Sequence, residues 1–331
     1  MTANPPRGTL GQRLRARAVD AASRLLASLP ERPVDAIGDL AGELWYRLAG
    51  DRAAMGRRNL QRVVRHLAAT GQGDPETTAA AADGAALERL LRATFRQTVR
   101  YYFDMARLPK RSGADLDRRL RVETPEVVDR AFGPDSPPVL VAMHFGAVEF
   151  PALLAVARSG GSIRAPMETI GDPPMQDWLV RTRGSVGVEI VSLRDARKSL
   201  LEALAKGRPV GLVADRNVAG GTVTVPFFGA EAPLPMGPAF LAIEAGRPIY
   251  LASVRRLGDG QYAGRLVEVP VAGEGTRRER VQATMANLAQ AMEGAIAVAP
   301  DQWWSLLSPV WPDLDPRATT GTGHLEPEAA A

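Results

Sequence analysis

Cysteine is absent from this chain of 331 residues, and histidine occurs only three times, at His66, His144 and His324. Without cysteine there can be no disulfide, no thiolate nucleophile and no zinc site built on sulfur. With so few histidines, a metal site would have to rest on carboxylates, and no carboxylate cluster with metal-ligand spacing occurs in the sequence. We therefore expect no metal site.

Long apolar runs are also missing. The longest stretches without a charged residue, such as 136–148 and 217–230, fall well short of the roughly 20 residues that a membrane-spanning helix needs. The basic N-terminus has neither the apolar segment nor the small-residue cleavage site of a secretory signal. We expect no transmembrane helix and an active part that faces the cytoplasm.

Lysine and aromatic side chains are scarce. Only three of the 41 basic residues are lysines, 37 acidic residues leave a formal net charge of +4, and aromatic residues make up 5% of the chain. Nucleic-acid binding usually requires a focused basic face with aromatic stacking partners, so we expect no nucleic-acid partner. A non-catalytic membrane-binding or nucleic-acid-binding module stays an alternative, because arginines cluster in places.

The first 110 residues have the periodicity of helices, interrupted at 68–86 by a segment that predicts a loop and a weak helix start. Between residues 10 and 29, arginines are interleaved with a regular apolar stripe. A basic amphipathic helix can lie among the headgroups of an anionic membrane, and 1–110 is predicted to be a membrane-associating helical region. The alternative is that the stripe packs on the protein's own core. The stripe consists of Leu10, Leu14, Ala18, Ala21, Leu25 and Leu29.

Beyond Pro137, short β-branched runs alternate with helical segments. This alternation is typical of an α/β fold with a mixed, largely parallel central sheet flanked by helices, here with a hairpin near 250–269. We assign the α/β core to 111–312 and a flexible tail to 313–331. Strands are predicted at 138–143, 162–167, 187–192, 209–214, 222–227 and 248–255, and helices at 147–158, 173–185, 195–206, 237–246 and 276–298.

His144 directly follows one of the predicted strands. Ligands of open α/β sheets gather at the carboxyl ends of the strands, where imidazole can take a proton from a hydroxyl group. Glu149 follows about one turn into the next segment, so we expect it to fold back and hold the other ring nitrogen. A single histidine in this position is more often structural. However, the strand at 209–214 brings Asp215 and Arg216 to the same edge.

No protein nucleophile is apparent. The sequence contains no GxSxG elbow, no GxxxxGK[ST] phosphate loop and no GxGxxG fingerprint, which argues against serine hydrolases, P-loop proteins and Rossmann dehydrogenases. A reacting hydroxyl must then come from the substrate, which points to a transferase.

Three blocks of sequence together resemble the lysophospholipid acyltransferase superfamily. The first block is HxxxxE at 144–149. The second, at 214–246, contains ADRN, VTVPFFG and PMGPAFLAIEAG. The third, at 167–191, contains ME, a later arginine and GVEIV. The resemblance runs from about residue 10 to 312. Within the superfamily, the chain is similar to the branch of bacterial lipid A late acyltransferases and actinobacterial phosphatidylinositol mannoside acyltransferases, and the latter are most similar around 215–244.

The resemblance implies roles for individual residues. His144 would be the general base, Glu149 the acid of the motif, and Asp215 a second carboxylate near the histidine. Glu168 and Arg183 match positions that line a polar-headgroup pocket. Arg216 and Arg183 could hold phosphate or sugar groups through charge-assisted hydrogen bonds, so charge reversal at Arg183 should raise the acceptor KM more than it affects folding.

The implied activity is transfer of a fatty acyl chain from acyl-CoA or acyl-carrier protein to a glycolipid hydroxyl. No cofactor is needed beyond this acyl donor, and the enzyme would work at the cytoplasmic face of the plasma membrane as a peripheral protein. A phosphatidylinositol mannoside is the expected acceptor, and a lipid A precursor is the alternative. Thr169 stands where the mannoside enzymes have arginine, and this departure leaves the acceptor open.

Overall fold

Helices form the first third of the chain, as predicted. The computed structural model describes residues 8–133, 137–217 and 221–317. Within this part, the segment 68–86 contains a turn at 71–74 and a short helix at 75–82, which Asp74 caps and in whose first turn Pro75 lies. The helices of this region are α1 (Leu10–Leu26), α2 (Glu31–Leu48), α3 (Gly50–Thr70), α4 (Pro75–Ala82) and α5 (Gly84–Arg107).

Helix α2 packs on α5 through glycines. Gly38 and Gly42 are its buried positions together with Val34, and a Cβ atom on Gly42 would lie 2.5 Å from the Cα atom of Arg96. Only a residue without a side chain permits this close approach of two helix backbones. The leucines and the isoleucine of α2 are exposed to solvent, whereas Trp45 packs edge-on against Phe95 of α5.

The rest of the described chain alternates between strands and helices. Its helices are α6 (Gly113–Arg119), α7 (Pro125–Ala131), α8 (Phe150–Ser159), α9 (Pro173–Gly184), α10 (Ala196–Ala205), α11 (Gly237–Ala245) and α12 (Arg277–Ala297). Its strands are β1 (Leu120–Val122), β2 (Val139–Ala142), β3 (Ile163–Met167), β4 (Val188–Ser192), β5 (Val210–Val213), β6 (Thr222–Phe227), β7 (Ala230–Pro235), β8 (Ile249–Gly258) and β9 (Gln261–Val269). Short 3₁₀ turns follow α5 and α12.

Among the described residues, seven strands form one central sheet in the order β1-β9-β8-β2-β5-β3-β4. All neighbours are parallel except the β8–β9 hairpin, which is antiparallel. The α/β class and the hairpin near 250–269 are thus confirmed. Strands β1 and β7 were not predicted, because one has only three residues and the other contains two prolines. Strand β7 pairs with β6 in a separate antiparallel hairpin.

Helices cover both faces of the sheet. Val139 and Val141 of β2 belong to the larger hydrophobic cluster, which also includes residues of α10, α11 and α12. Leu140 points to the opposite face and packs in a second cluster with α8. This burial on both faces explains why β2 is a continuous apolar run rather than an alternating one.

The N-terminal helices pack directly on this α/β part. Val19 of α1 and Tyr101 of α5 join one hydrophobic cluster with Trp178 of α9, and Gln12 donates a hydrogen bond to the carbonyl of Gly171 over 3.1 Å. In the described part of the chain, none of the helices combines the length and the apolar character needed to cross a membrane. Residues 318–331, most of the predicted tail, lie outside the described part.

Candidate active site

His144 and Asp215 meet because two neighbouring strands end side by side. Strands β2 and β5 are parallel and in register, with Ala142 opposite Val213. Each of these polar residues lies two positions beyond its strand, at the same edge of the sheet. The imidazole Nδ1 of His144 is 2.8 Å from Oδ1 of Asp215, and the backbone N–H of His144 donates to Oδ2 over 3.0 Å.

Asp215 is fully buried, with 0% of its surface exposed. Two more groups donate to its Oδ2 atom: the indole N–H of Trp303 over 2.7 Å and the hydroxyl of Ser305 over 2.9 Å. Burial alone would raise the pKa of this carboxyl group, but His144, Trp303 and Ser305 outweigh burial and hold it below its ordinary value. Asp215 is therefore ionised at neutral pH.

An ionised Asp215 fixes the tautomer of His144. Because the carboxylate can only accept, Nδ1 carries the proton of this hydrogen bond, which leaves the lone pair of the neutral ring on Nε2. One fifth of the His144 side chain stays exposed. The arrangement can thus take a proton at Nε2 and stabilise the resulting imidazolium through the buried carboxylate.

Glu149 does not orient His144, contrary to the expectation from sequence. Its Oε1 atom instead accepts two hydrogen bonds from the guanidinium of Arg183, over 3.1 and 3.0 Å. The backbone turns at Gly146, whose φ is +54°, and carries the segment toward β8, where the N–H of Ala147 donates to Val254. Glu149 consequently faces α9, while strand pairing places Asp215 beside the ring.

Arg183 is held by several neighbouring side chains. In addition to Glu149, its guanidinium reaches the sulfur of Met167 over 2.8 Å and interacts with Tyr101. Burial alone would lower the pKa of Arg183, but Glu149 and Tyr101 outweigh it and raise the pKa. Binding of a substrate phosphate by Arg183 stays a prediction, and it would require Arg183 to share or exchange these partners.

Glu168 and Arg216 lie together at the end of a gap in the sheet. Strand β3 pairs with β5 at one position only, Arg164 opposite Val210, so the two strands diverge toward their carboxyl ends. Val213 is 41% exposed, which is unusual for an interior strand. Beyond it, the guanidinium of Arg216 is 3.5 Å from Oε1 of Glu168, and both side chains are accessible. We call this gap, with the exposed Val213 beside it and the ion pair at its end, the groove.

Three aromatic residues complete the site, and sequence reasoning did not single them out. The Trp304 ring packs edge-on against the imidazole of His144 at 4.5 Å between centroids, and its backbone N–H donates to the carbonyl of His144 over 3.0 Å. Tyr101 stacks on the indole at 4.8 Å, and the more exposed Tyr102 lies 6.2 Å from it. The double aromatic pairs YY and WW were the only available signal.

In the part of the chain that the structure describes, no three His, Asp or Glu side chains are grouped so that they could hold a metal ion. The six residues singled out from the sequence nevertheless converge on one edge of the sheet as three pairs. These are His144 with Asp215, Glu149 with Arg183, and Glu168 with Arg216.

Known proteins resemble this chain over nearly its whole length. The family model described as bacterial lipid A biosynthesis acyltransferase matches residues 14–311. A phosphatidylinositol mannoside acyltransferase from Mycolicibacterium smegmatis is 28% identical over 310 residues, which are 90% of this chain and 93% of the relative. A protein of the same name from Mycobacterium tuberculosis strain H37Rv is 28% identical over 163 residues, 47% of this chain and 51% of the relative.

Proposed function

The chain belongs to the bacterial lipid A biosynthesis acyltransferase family and is an O-acyltransferase, and we propose that it acylates a hydroxyl group of a phosphatidylinositol mannoside. The observation that carries the proposal is the pair of His144 and buried Asp215 at the carboxyl edge of the sheet. The name of the M. smegmatis relative, aligned over 90% of this chain, supports the choice of acceptor.

The reaction follows from the orientation of the imidazole. Nε2 of His144 removes the proton of the acceptor hydroxyl as its oxygen attacks the carbonyl carbon of the acyl thioester. The tetrahedral intermediate then breaks its carbon–sulfur bond, and the imidazolium returns the proton to the departing thiolate. Asp215 stabilises the imidazolium between the two steps. Base catalysis of this kind contributes about 10²–10⁴ in rate.

We assign the acyl chain of the donor to the groove between β3 and β5. The exposed side chain of Val213 borders it, and Val213 lies two positions before Asp215, the partner of His144. The segments 150–157 and 239–243, which the sequence also offered as channel walls, largely pack into the cores on the two faces of the sheet. Glu168 and Arg216, at the mouth, would contact the polar acceptor.

We further propose that the enzyme works as a peripheral protein at the cytoplasmic membrane surface. Leucines and an isoleucine on α1 and α2 stay exposed, so the apolar stripe of α1 is not used for core packing. Arginines such as Arg13, Arg17 and Arg24 lie among them and could contact anionic headgroups. The exposed apolar residues are Leu10, Leu14, Leu25, Ile37, Leu40, Leu44 and Leu48.

A lipid A precursor is the second candidate acceptor, because the family model that matches residues 14–311 is named for lipid A biosynthesis. Both acceptors are glycolipids with hydroxyls on sugars, and the site chemistry suits either. The choice between them rests on the pocket around Glu168 and Arg216.

A direct transfer assay tests the function. Purified protein is incubated with acyl-CoA or acyl-carrier protein and with a phosphatidylinositol mannoside or an underacylated lipid A precursor, and products are identified by mass spectrometry. We expect an acylated mannoside, and none with the His144→Ala variant. Acylation of the lipid A precursor alone would replace the proposed acceptor. Transfer that is independent of His144 would refute the proposed mechanism.

A further inference from the structure

A pocket of about 450 Å³ opens on the surface between α3 and the β6–β7 turn, apart from the groove described above. The volume is within the range of small-molecule sites. On α3, the pocket-facing side chains recur at helical spacing, while the opposite side of the same helix is buried in the core. The pocket is lined by Arg58, Gln61, Arg62, Arg65, His66, Phe228, Gly229 and Leu314.

The charges of this pocket are not balanced. Arg62 donates to Asp313 over 2.8 Å and lies over the Trp311 ring, and Nε2 of His66 is 3.8 Å from Glu293. Arg58 and Arg65, in contrast, make no ion pair or hydrogen bond through their side chains to any of the described residues. Two guanidinium groups on one face of one helix thus have unused donors, spaced two turns apart.

The opposite wall is built by a tight turn. Phe228 and Gly229 both have positive φ values, +49° and +74°, and the N–H of Phe228 donates to the carboxylate of Glu293. A Cβ atom on residue 229 would lie 3.0 Å from Nδ1 of His66, so glycine allows the turn to approach α3 closely. The Phe228 ring is buried beneath this turn, so the accessible apolar surface of the pocket comes from the half-buried Leu314.

We propose that this pocket binds a phosphate-bearing anion, whose oxygens contact Arg58 and Arg65 and whose organic part contacts Leu314 and the turn at Gly229. The planar guanidinium fork matches two phosphate oxygens at once, and phosphate is the anion for which two such groups are best suited. This binding is independent of the proposed acyl transfer. One aromatic layer separates the sites, because Phe228 packs on Trp303, which donates to Asp215.

Titration of the full chain with pyrophosphate by isothermal calorimetry tests the site. The Arg58→Gln/Arg65→Gln variant removes both unpaired charges and retains polar side chains at the two positions. We expect saturable binding by the wild type and a loss of about tenfold or more in affinity in the variant. The control Arg265→Gln/Arg278→Gln removes two exposed arginines from β9 and α12, and should bind as the wild type does. Unchanged melting temperatures establish that both variants fold.

Vesicle flotation distinguishes a lipid headgroup from a free phosphate ester. Vesicles of phosphatidylcholine with and without phosphatidylinositol are compared for the same three proteins. A defect of the pocket variant confined to phosphatidylinositol vesicles supports the headgroup, and a defect in pyrophosphate binding supports the free ester. The proposal is refuted if the pocket variant matches the control in both assays, or if the wild type binds neither probe.

Discussion

Nδ1 of His144 lies 2.8 Å from Oδ1 of Asp215, although 71 positions separate the two residues in the chain. The contact depends on the parallel pairing of β2 with β5, which ends both strands at the same edge of the sheet. A second acidic residue is far nearer in sequence, yet Glu149 faces Arg183. The proposed mechanism therefore makes distinct predictions for the two carboxylates.

Substitution of the pair should abolish efficient transfer. We expect His144→Ala and Asp215→Asn each to lower kcat by about 10²–10⁴, and the double variant to be no worse than the poorer single variant, since the two act as one unit. Initial rates with acyl-CoA measure this, with Asp129→Asn as a control at an exposed carboxylate. Near-normal turnover of Asp215→Asn would remove the carboxylate from the mechanism.

The ion pair of Glu149 and Arg183 should contribute more to the stability of the fold than to catalysis. Arg183→Ala leaves a buried carboxylate without its partner, and we expect a loss of about 2–3 kcal/mol in the free energy of unfolding. This is below the cost at a fully buried pair, because a fifth of the Arg183 side chain is exposed. Urea unfolding measures it. From the sequence we expect charge reversal at Arg183 to raise the acceptor KM more than it affects folding. A variant with an unchanged unfolding curve and a raised KM would support that expectation instead.

Trp304 should hold the imidazole in position. Trp304→Ala removes the edge-on contact to His144, and we expect kcat to fall by about tenfold or more while acceptor KM changes little. Trp304→Phe retains a ring there and should recover most of the rate. Steady-state kinetics of both variants provide the test. If kcat is equally low in both variants, or if only KM changes, Trp304 does not position the ring.

The exposed face of α2 should contact the membrane. Leu40 and Leu48 are 73% and 76% exposed, and burying each in a bilayer surface is worth on the order of 1 kcal/mol. Leu40→Gln/Leu48→Gln should therefore lower vesicle partitioning about tenfold in flotation assays. Leu193→Gln/Leu257→Gln, two exposed leucines elsewhere, serves as the matched control. Equal losses in both pairs would argue against a specific face.

Asp301 should make stability depend on pH. Burial raises its pKa from 3.8 to about 6, so the folded state favours the protonated acid. The contribution of Asp301 to the free energy of unfolding is therefore fully present below pH 4, and it is lost as the pH rises through 6. Asp301→Asn should stabilise the protein by about 2 kcal/mol at pH 7.5, with a difference that shrinks toward pH 4. Urea unfolding at both pH values measures it, and a pH-independent difference would contradict the assignment.

Individual elements show how much of the structure could be predicted from the sequence. Strand β2 and helix α12 followed from apolar runs and their spacing, because these signals act between residues close in the chain. The same signals missed β1, which is short and gains its stability from its partner β9. They also led to Glu149 as the partner of His144, since the spacing of five residues was the only link available.

The sequence by itself determined the α/β class, the absence of sulfur chemistry and the sheet edge where the polar residues would gather. Only the tertiary structure decided which carboxylate touches His144, that Trp303, Trp304 and Ser305 surround the pair, and that α2 buries glycines while exposing leucines. The physical reason is the separation along the chain over which each kind of interaction acts. Local periodicity specifies elements, whereas the partner of a side chain depends on which elements pack together across long separations in the chain.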